Sequence, residues 1–410
     1  MKNMEGTHWV VHRSASAAKN KAAHGRSCEP TWFFLSKLLV SYNPKDSILD
    51  IMCQEIECTK KIRILGCHLS YANMSTQTPL PWQDPDWLKQ AHDWIRAQAA
   101  RQSIQITGEI EQPHMYPWST VLRIPSDEGT LFFKATAAET VYESALTEKL
   151  AGWFPDCMPE LVAVDPARGW MLMCDGGDQL RLSIRPTRDV TPWNPVISRY
   201  SEVQVRLAEH IAQILSLGIP DHRLTVLPAL YTKLLFDEES LLIDQEKGLT
   251  SIEVRNLRDL APRFERICSE LAAFGIPESL NHGDFHDGNV LLRDGRITFF
   301  DWGDAGVTHP FVSLRTLFVS VEIALDLPDY SFTPEMAALL ERYIEPWQKF
   351  ASKEALLAAY RLSKPVASIV KALSWHKTIS PLRGSVREEY AWIVPEVLKE
   401  FVVYEKMLSD

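Results

Sequence analysis

Two short motifs in the second half of the chain place acidic and amide side chains at spacings suited to chemistry. The first, Asn281–Asn289, reads Asn-His-Gly-Asp-Phe-His-Asp-Gly-Asn and contains Asp284. The second, Phe300–Asp304, contains Asp301. A carboxylate at Asp284 can orient an attacking hydroxyl, while Asn289 and Asp301 can hold Mg²⁺ on the phosphates of a nucleotide. The spacing therefore predicts magnesium-dependent phosphoryl transfer.

The turn between the two motifs brings Asn289 close to Asp301. Two apolar strands flank Asp294-Gly295, a dipeptide typical of two-residue type I′ hairpins because both central residues need positive φ. With this pair at the turn, Asn289 lies opposite Phe300, one residue from Asp301. Amide and carboxylate oxygens are hard ligands that suit Mg²⁺. Local turn chemistry thus predicts a metal site.

A lysine upstream of both motifs offers a positive charge for the nucleotide phosphates. Lys134 ends a Phe-rich strand, and Glu143 lies on the inward face of the predicted helix that follows. We predict that Glu143 pairs with Lys134 and holds it in place. The alternative is that Glu143 closes a capping box with Thr140, or Glu139 closes one with Thr136.

The pattern along the chain predicts two unequal lobes of an α+β protein. Residues 80–175 combine short strands with a helix near 137–154, and the Gly pair in Asp175–Asp178 interrupts the pattern. Helical periodicity dominates from there to residue 410. This order is typical of a small sheet-plus-helix lobe followed by a larger, mainly helical lobe, 176–410. In detail, we predict strands near 105–110, 119–124, 130–135 and 169–174, a loop over Gln112–Trp118, single helices around 203–215 and 257–271, and helices from residue 334 onward.

Residues 1–73 differ in composition from the rest of the chain. They hold ten Lys and Arg against six Asp and Glu, and four of the seven cysteines. Met74-Ser75-Thr76 resembles an ordinary protein start. We hypothesise that 1–73 is an extension without a packed fold and that the biological chain begins near Met74. A small regulatory extension is the alternative, and mass spectrometry of the native protein distinguishes the two.

Charge, hydropathy and cysteine usage limit the classes of partner and the cellular compartment that we expect for this protein. The net charge is −10, which disfavours nonspecific nucleic-acid binding. The sequence has no apolar run of the roughly 18–20 residues that a membrane helix needs. The seven cysteines form no C-x-x-C pair, so a disulfide framework and a zinc site are disfavoured and a reducing cytoplasm is expected.

The two motifs resemble the signature of the aminoglycoside phosphotransferase family, which is itself similar to choline kinases and more distantly to protein kinases. The resemblance spans roughly residues 80–410 and implies a bilobal, protein-kinase-like fold with ATP or GTP between the lobes. It implies that Asp284 is the catalytic aspartate, that Asn289 and Asp301 are magnesium ligands, and that Lys134 with Glu143 binds phosphate. The segment Trp170–Asp175 is expected to be the hinge that contacts the edge of the adenine ring.

The chain departs from that family in two places. The loop Gln112–Trp118 is not glycine-rich, so other backbone amides must cover the phosphates. Thr308-His309-Pro310 and Ser313 stand where related phosphotransferases often have Gly-Asp-Pro and another Asp. This second difference weakens an assignment as a resistance enzyme. It does not affect the predicted metal ligands or the predicted base.

The other polar residues of the two motifs are expected to have structural roles, or their roles are left open by the sequence. We expect His282 to hold the loop and Asp287 to favour the turn. We expect His286 to be an exposed loop histidine, and a contact with the substrate is the alternative. For Asp304 we make no choice between a loop hydrogen bond and an acceptor contact.

The predicted function is transfer of a γ-phosphate from ATP or GTP to a hydroxyl of a small molecule that is aminoglycoside-, choline- or sugar-like. A nucleotide-binding module without activity is the first alternative. A metal-dependent hydrolase built on His282, Asp284, His286 and Asp301 is the second. Acidic residues in the large lobe favour an amine-bearing acceptor, and the oligomeric state is open, with a monomer plausible.

Overall fold

The computed structural model describes residues 80–408. The predicted extension 1–73 and the start at Met74 lie outside the described residues. The small N-terminal lobe contains one long helix, a sheet and a second helix, in the order α1 Pro85–Arg101, β1 Glu111–Met115, β2 Ser119–Ser126, β3 Gly129–Thr136, α2 Tyr142–Trp153, β4 Leu161–Asp165 and β5 Trp170–Cys174.

The larger lobe is mainly helical and holds two small sheets. Its elements are β6 Asp178–Gln179, α3 Arg181–Ile184, α4 Trp193–Leu207, α5 Ile211–Leu215, α6 Leu227–Leu234, α7 Glu238–Leu241, α8 Ser251–Asp259, α9 Ala261–Ala272, β7 Ser279–Asn281, β8 Val290–Arg293, β9 Arg296–Phe299, β10 Gly306–Thr308, α10 Leu314–Leu325, α11 Pro334–Ile344, α12 Lys353–Ile379, α13 Gly384–Tyr390 and α14 Ile393–Met407. No helix within residues 80–408 is long and apolar enough to cross a membrane.

The small lobe is an antiparallel sheet of five strands in the order β1-β2-β3-β5-β4, covered on one face by α1. Alternate residues of β3 point into this core, and Leu131, Phe133 and Ala135 are almost completely buried. Trp94 and Trp170 pack edge-to-face on Phe133. The alternation of β3 leaves Lys134 on the opposite face, toward the large lobe.

One predicted strand of this lobe is wrong. The segment 105–110 contributes only an isolated bridge from Ile106 to Ser126, and the first strand lies later, at Glu111–Met115. β2 has eight residues and pairs with β1 over its first half, so the predicted loop Gln112–Trp118 shrinks to a turn closed by Tyr116 N–H donating to Ser119 O. The edge strand β4 was not predicted.

Two predicted helices of the large lobe are each divided. A 3₁₀ turn at Ala208–His210 separates α4 from α5. Pro262 lies in the first turn of α9, where it cannot donate a backbone hydrogen bond to the preceding turn, so α8 ends at Asp259. The predicted helical character of the chain after residue 334 is confirmed.

A single large hydrophobic cluster fills the C-terminal lobe and extends into α2. Leu146 and Leu150 of α2 belong to this cluster and not to the core of the five-stranded sheet. The helix that carries Glu143 is therefore anchored to the large lobe. The boundary predicted between residues 175 and 176 stays a prediction.

Candidate functional site

The hairpin β8–β9 has the register that its turn sequence predicts. Asp294 and Gly295 have φ of 51° and 80°, and Arg293 pairs with Arg296. Phe300 N–H donates to Asn289 O at 3.3 Å, so these two residues lie opposite each other as expected. Asn289 and the residue before Asp301 are thereby fixed by backbone hydrogen bonding.

Asp301 adopts a left-handed backbone conformation, with φ of 64°. Asp is one of the few residues that tolerate this region, and such positions are concentrated at functional sites. The carboxylate of Asp301 accepts a hydrogen bond from Lys134 Nζ at 2.8 Å. The turn thus aims Asp301 back at the small lobe across the space between the lobes.

Lys134 lies between two carboxylates. Its Nζ donates to Glu143 Oε1 at 2.7 Å and to Asp301 Oδ1 at 2.8 Å. Burial alone would lower the pKa of Lys134, but the charges of Asp301 and Glu143 raise it. Burial raises the pKa of the Glu143 carboxyl to about 7, with Lys134 opposing the shift. The predicted ion pair is present, and both capping-box alternatives are wrong because no side chain caps α2 or the 3₁₀ turn Ala138–Thr140 before it.

Replacing Lys134 by Met is expected to lower the free energy of unfolding by about 3–5 kcal/mol, because it leaves the buried Glu143 without its cation. The double variant Lys134→Met/Glu143→Gln removes both charges and is expected to recover part of that loss. Urea unfolding of the single and double variants measures the difference. Equal stability of the two would show that the pair is not coupled.

Asp284 is surrounded by three donors. Lys371 Nζ lies 3.1 Å from Oδ1, His286 Nε2 lies 3.1 Å from Oδ2, and Asn289 Nδ2 donates to the backbone oxygen at 2.9 Å. Burial would raise the pKa of Asp284, but the positive charges, with Lys371 first, hold it well below its usual value. Asp284 is therefore an ionised carboxylate fixed in one orientation.

His286 is not the exposed loop histidine that we expected. Gly288 N–H donates to its Nδ1 at 2.9 Å, so Nδ1 is an acceptor and Nε2 carries the proton that is donated to Asp284. The expectation for Asp287 is also incomplete. Its carboxylate is fully buried and accepts two hydrogen bonds from Arg185, at 2.9 and 3.0 Å. Asp287 therefore anchors the loop to the large lobe.

His282 and Asp304 also stabilise the loop. His282 is completely buried, and its Nε2 lies 2.9 Å from Phe300 O, so it joins the two motifs. The Asp304 carboxylate lies 3.3 Å from Lys371 Nζ and accepts from Ser374 Oγ at 3.2 Å. Gly283 has φ of 80°, and a Cβ there would lie 2.0 Å from Asp304 O. Only glycine fits this close approach of the two motifs.

Lys371 is the site residue that sequence reasoning missed. It lies on α12, is 9% exposed, and also donates to Gly283 O at 3.1 Å. One signal was available: a single lysine within the apolar segment Pro365–Leu373 is expected to be buried only if it is paired. The partner is 87 residues away, and nothing local indicates it.

The two lobes meet at further polar and aromatic contacts. Tyr142 of α2 donates to Gly303 O at 2.7 Å and accepts from Lys377 at 2.7 Å. Trp118, in the shortened turn after β1, packs edge-to-face on Trp375 and Tyr390. The turn that contains Trp118 is therefore held against α12 and α13 by aromatic rings.

Comparison with known proteins agrees with this architecture. A sequence model described as "Phosphotransferase enzyme family" matches residues 190–355. Similar solved structures include an ethanolamine kinase from Plasmodium vivax, 11% identical over 86% of this chain and 95% of that chain, with a TM-score of 0.50. Another is a choline/ethanolamine kinase family protein from Mesorhizobium loti, 18% identical over 77% and 99% of the two chains, with a TM-score of 0.48. No curated protein sequence matches the chain.

The fold and the matched segment define the class. The α+β, bilobal kinase-like fold predicted from the sequence is confirmed, and the matched part of the chain, which carries both motifs, is similar to the phosphotransferase enzyme family. The segment that carries the site is therefore similar in sequence to phosphotransferases.

Proposed function

We propose that this protein is a phosphotransferase that moves the γ-phosphate of ATP or GTP to a hydroxyl of a small molecule, with Mg²⁺. The observation that carries the proposal is the convergence of Asp284, Asn289, Asp301 and Lys134 from three separate parts of the chain. In this proposal the nucleotide binds between residues 80–175 and 176–410.

The proposed roles follow the chemistry of each side chain. The ionised Asp284 orients the acceptor hydroxyl and takes its proton, a task that depends mostly on position because a loose phosphoryl transition state needs little base strength. Lys134 neutralises nucleotide phosphates, and Glu143 holds its flexible side chain in place.

The residues present fit a magnesium ion. Asn289 donates through its side-chain nitrogen to Asp284, so its amide oxygen points away from Asp284 and is available as a ligand. Together with an Asp301 oxygen, this gives two hard protein ligands, the usual number where nucleotide phosphates and waters complete the shell of Mg²⁺. Bound there, the ion would neutralise charge on the transferred phosphoryl group. No group of three or more His, Cys, Asp and Glu arranged to hold a metal occurs within the described residues.

The acceptor, the partners and the cellular compartment that we propose are those predicted from the sequence. The acceptor is a small-molecule alcohol of the aminoglycoside-, choline- or sugar-like kind, and the structurally similar Plasmodium vivax protein is a kinase of an amino alcohol by its name. No nucleic-acid or membrane partner is proposed. Cys157, Cys174 and Cys268 are free thiols, in keeping with a reducing cytoplasm.

One assay tests the proposal: release of ADP or GDP by the full chain in the presence of a panel of hydroxyl-bearing metabolites and antibiotics. Magnesium-dependent release that rises with an acceptor is expected. Nucleotide binding without release under any condition would favour the inactive module. Hydrolysis of an ester without nucleotide would favour the metal-dependent hydrolase.

A further inference from the structure

Lys371 of α12 uses all of its hydrogen-bond donors on the two motifs that build the site. Its Nζ lies 3.1 Å from Asp284 Oδ1, 3.1 Å from Gly283 O and 3.3 Å from Asp304 Oδ2. An ammonium group has three donors, so none is left over. Burial lowers the pKa of Lys371, but the carboxylates of Asp284 and Asp304 raise it. Lys371 is therefore a buried, charged group held in one orientation.

The two carboxylate oxygens of Asp284 differ in how many hydrogen bonds they can still accept. His286 Nε2 lies 3.1 Å from Oδ2, and Asn289 Nδ2 donates to the same oxygen at 3.3 Å. A carboxylate has about four acceptor positions, two on each oxygen, so these donors fill Oδ2. In the described part of the chain, Oδ1 accepts only from Lys371. One acceptor position on Oδ1 thus remains.

The Asp284 side chain can be reached by a ligand, whereas the Lys371 side chain is largely covered. The exposed fraction is 33% for the Asp284 side chain and 10% for that of Lys371. A small molecule that approaches the site therefore meets the carboxylate, while the lysine lies behind it. Because Oδ2 is filled, an acceptor hydroxyl that donates a hydrogen bond to Asp284 must donate it to Oδ1.

We propose, resting on the proposed function, that Lys371 is a positioning residue for phosphoryl transfer and turns Asp284 so that Oδ1 receives the acceptor hydroxyl. In this step the bond from the γ-phosphorus to the bridging oxygen of the nucleotide breaks, and a bond from the acceptor oxygen to that phosphorus forms. The hydroxyl proton moves to Oδ1 of Asp284, and the nucleoside diphosphate leaves. Lys371 acts through Asp284 and takes no proton itself.

Asp304 holds Lys371 in place from the second motif. Its Oδ2 accepts from Lys371, and its Oδ1 accepts from Ser374 Oγ at 3.2 Å. Lys371 and Ser374 are three residues apart on α12, so both side chains lie on the same face of the helix. A lysine side chain is flexible and loses rotamer freedom when it is fixed. The attachment of Asp304 to two residues of one helix turn supplies that fixation.

A purely structural ion pair is the competing explanation, because a buried lysine needs carboxylate partners whatever its role. The two explanations differ in what they predict for the nucleotide. Lys134, the proposed phosphate-binding residue, contacts Glu143 and Asp301 and is not part of the Lys371 network. Loss of a positioning residue therefore lowers the rate and leaves nucleotide affinity unchanged. Loss of a structural residue changes both together.

Three variants of the full chain test this difference by steady-state kinetics. Lys371→Met is expected to lower kcat by about 10²-fold, the loss that a misplacement of about 1 Å can cause, and to leave the KM for nucleotide unchanged. Lys371→Arg keeps a cationic donor for Asp284 and is expected to recover roughly tenfold of that loss, the value of one charge-assisted contact. Lys353→Met removes an exposed lysine from the start of the same helix and is expected to change neither constant.

Crystal structures of the unmodified chain and of Lys371→Met provide a readout that needs no activity. We expect the Asp284 carboxylate to leave its present orientation in the variant and to keep it in Lys353→Met. If the single variant does not fold, Lys371→Met/Asp304→Asn serves, because it removes one buried carboxylate together with the cation. Absence of acceptor-dependent transfer by the unmodified chain defeats the proposed function, while the structures still test whether Lys371 orients Asp284.

Three results would overturn the inference. The first is a kcat of Lys371→Met close to that of the unmodified chain. The second is an equal loss of kcat in the Met and Arg variants together with a raised KM for nucleotide, which identifies a structural ion pair. The third is an unchanged orientation of the Asp284 carboxylate in the structure of the Met variant.

Discussion

Replacing Asp284 by Ala is expected to lower kcat by about 10²–10⁴, the usual loss when a positioned general base is removed. The reason lies in its surroundings, because Lys371, His286 and Asn289 fix this carboxylate in one orientation. Removing it takes away both the proton acceptor and the group that aligns the acceptor hydroxyl. Steady-state kinetics of the purified variant with saturating nucleotide and acceptor measure the effect.

The matched control is Asp259→Ala, which removes an exposed carboxylate at the end of α8 and is expected to keep normal turnover. Thermal unfolding of both variants separates a loss of chemistry from a loss of fold. Turnover near that of the unmodified chain in Asp284→Ala would refute the assignment of the base.

The second large effect is expected for Asp301→Ala. This carboxylate is proposed to ligate Mg²⁺, and it also holds Lys134 at 2.8 Å, so its loss affects two of the groups that meet the nucleotide phosphates. Turnover is expected to fall by about 10²–10³, as for the loss of one preorganised electrostatic contact. Calorimetry of nucleotide binding with and without magnesium measures the metal role directly.

In the Asp301→Ala variant, magnesium is expected to give no gain in nucleotide affinity. Glu128→Ala, at the exposed turn between β2 and β3, is the control and should retain the full magnesium dependence. If the Asp301 variant kept the magnesium dependence and rate of the unmodified chain, another residue would have to hold the ion.

Features set by short-range chemistry were predictable from the sequence. The register of β8–β9 follows from Asp294-Gly295, because a two-residue turn fixes every pair that follows it. That register places Asn289 opposite Phe300 without knowledge of the rest of the fold. The contact between Lys134 and Glu143, nine residues apart, follows from the alternation of one strand and the inward face of the next helix.

Features that depend on distant packing were not predictable. Lys371 meets Asp284 only because α12 crosses the large lobe beside the catalytic loop, and helical periodicity does not specify where a helix docks. The same limit explains why the position of the first strand was predicted wrongly. Residues 105–110 have the composition of a strand, but β2 pairs with β3 on one side and with β1 on the other, and that choice is made by tertiary structure.

Helix α12 contacts both the loop that carries the proposed base and the helix that carries Glu143. Lys371 lies within 3.3 Å of carboxylate oxygens of Asp284 and Asp304, and Lys377 donates to Tyr142 of α2 at 2.7 Å. The two lysines lie six residues apart on one continuous helix, so about 9 Å of helix axis separates them. A displacement of α12 would therefore change the surroundings of Asp284 and the contact between the lobes at the same time.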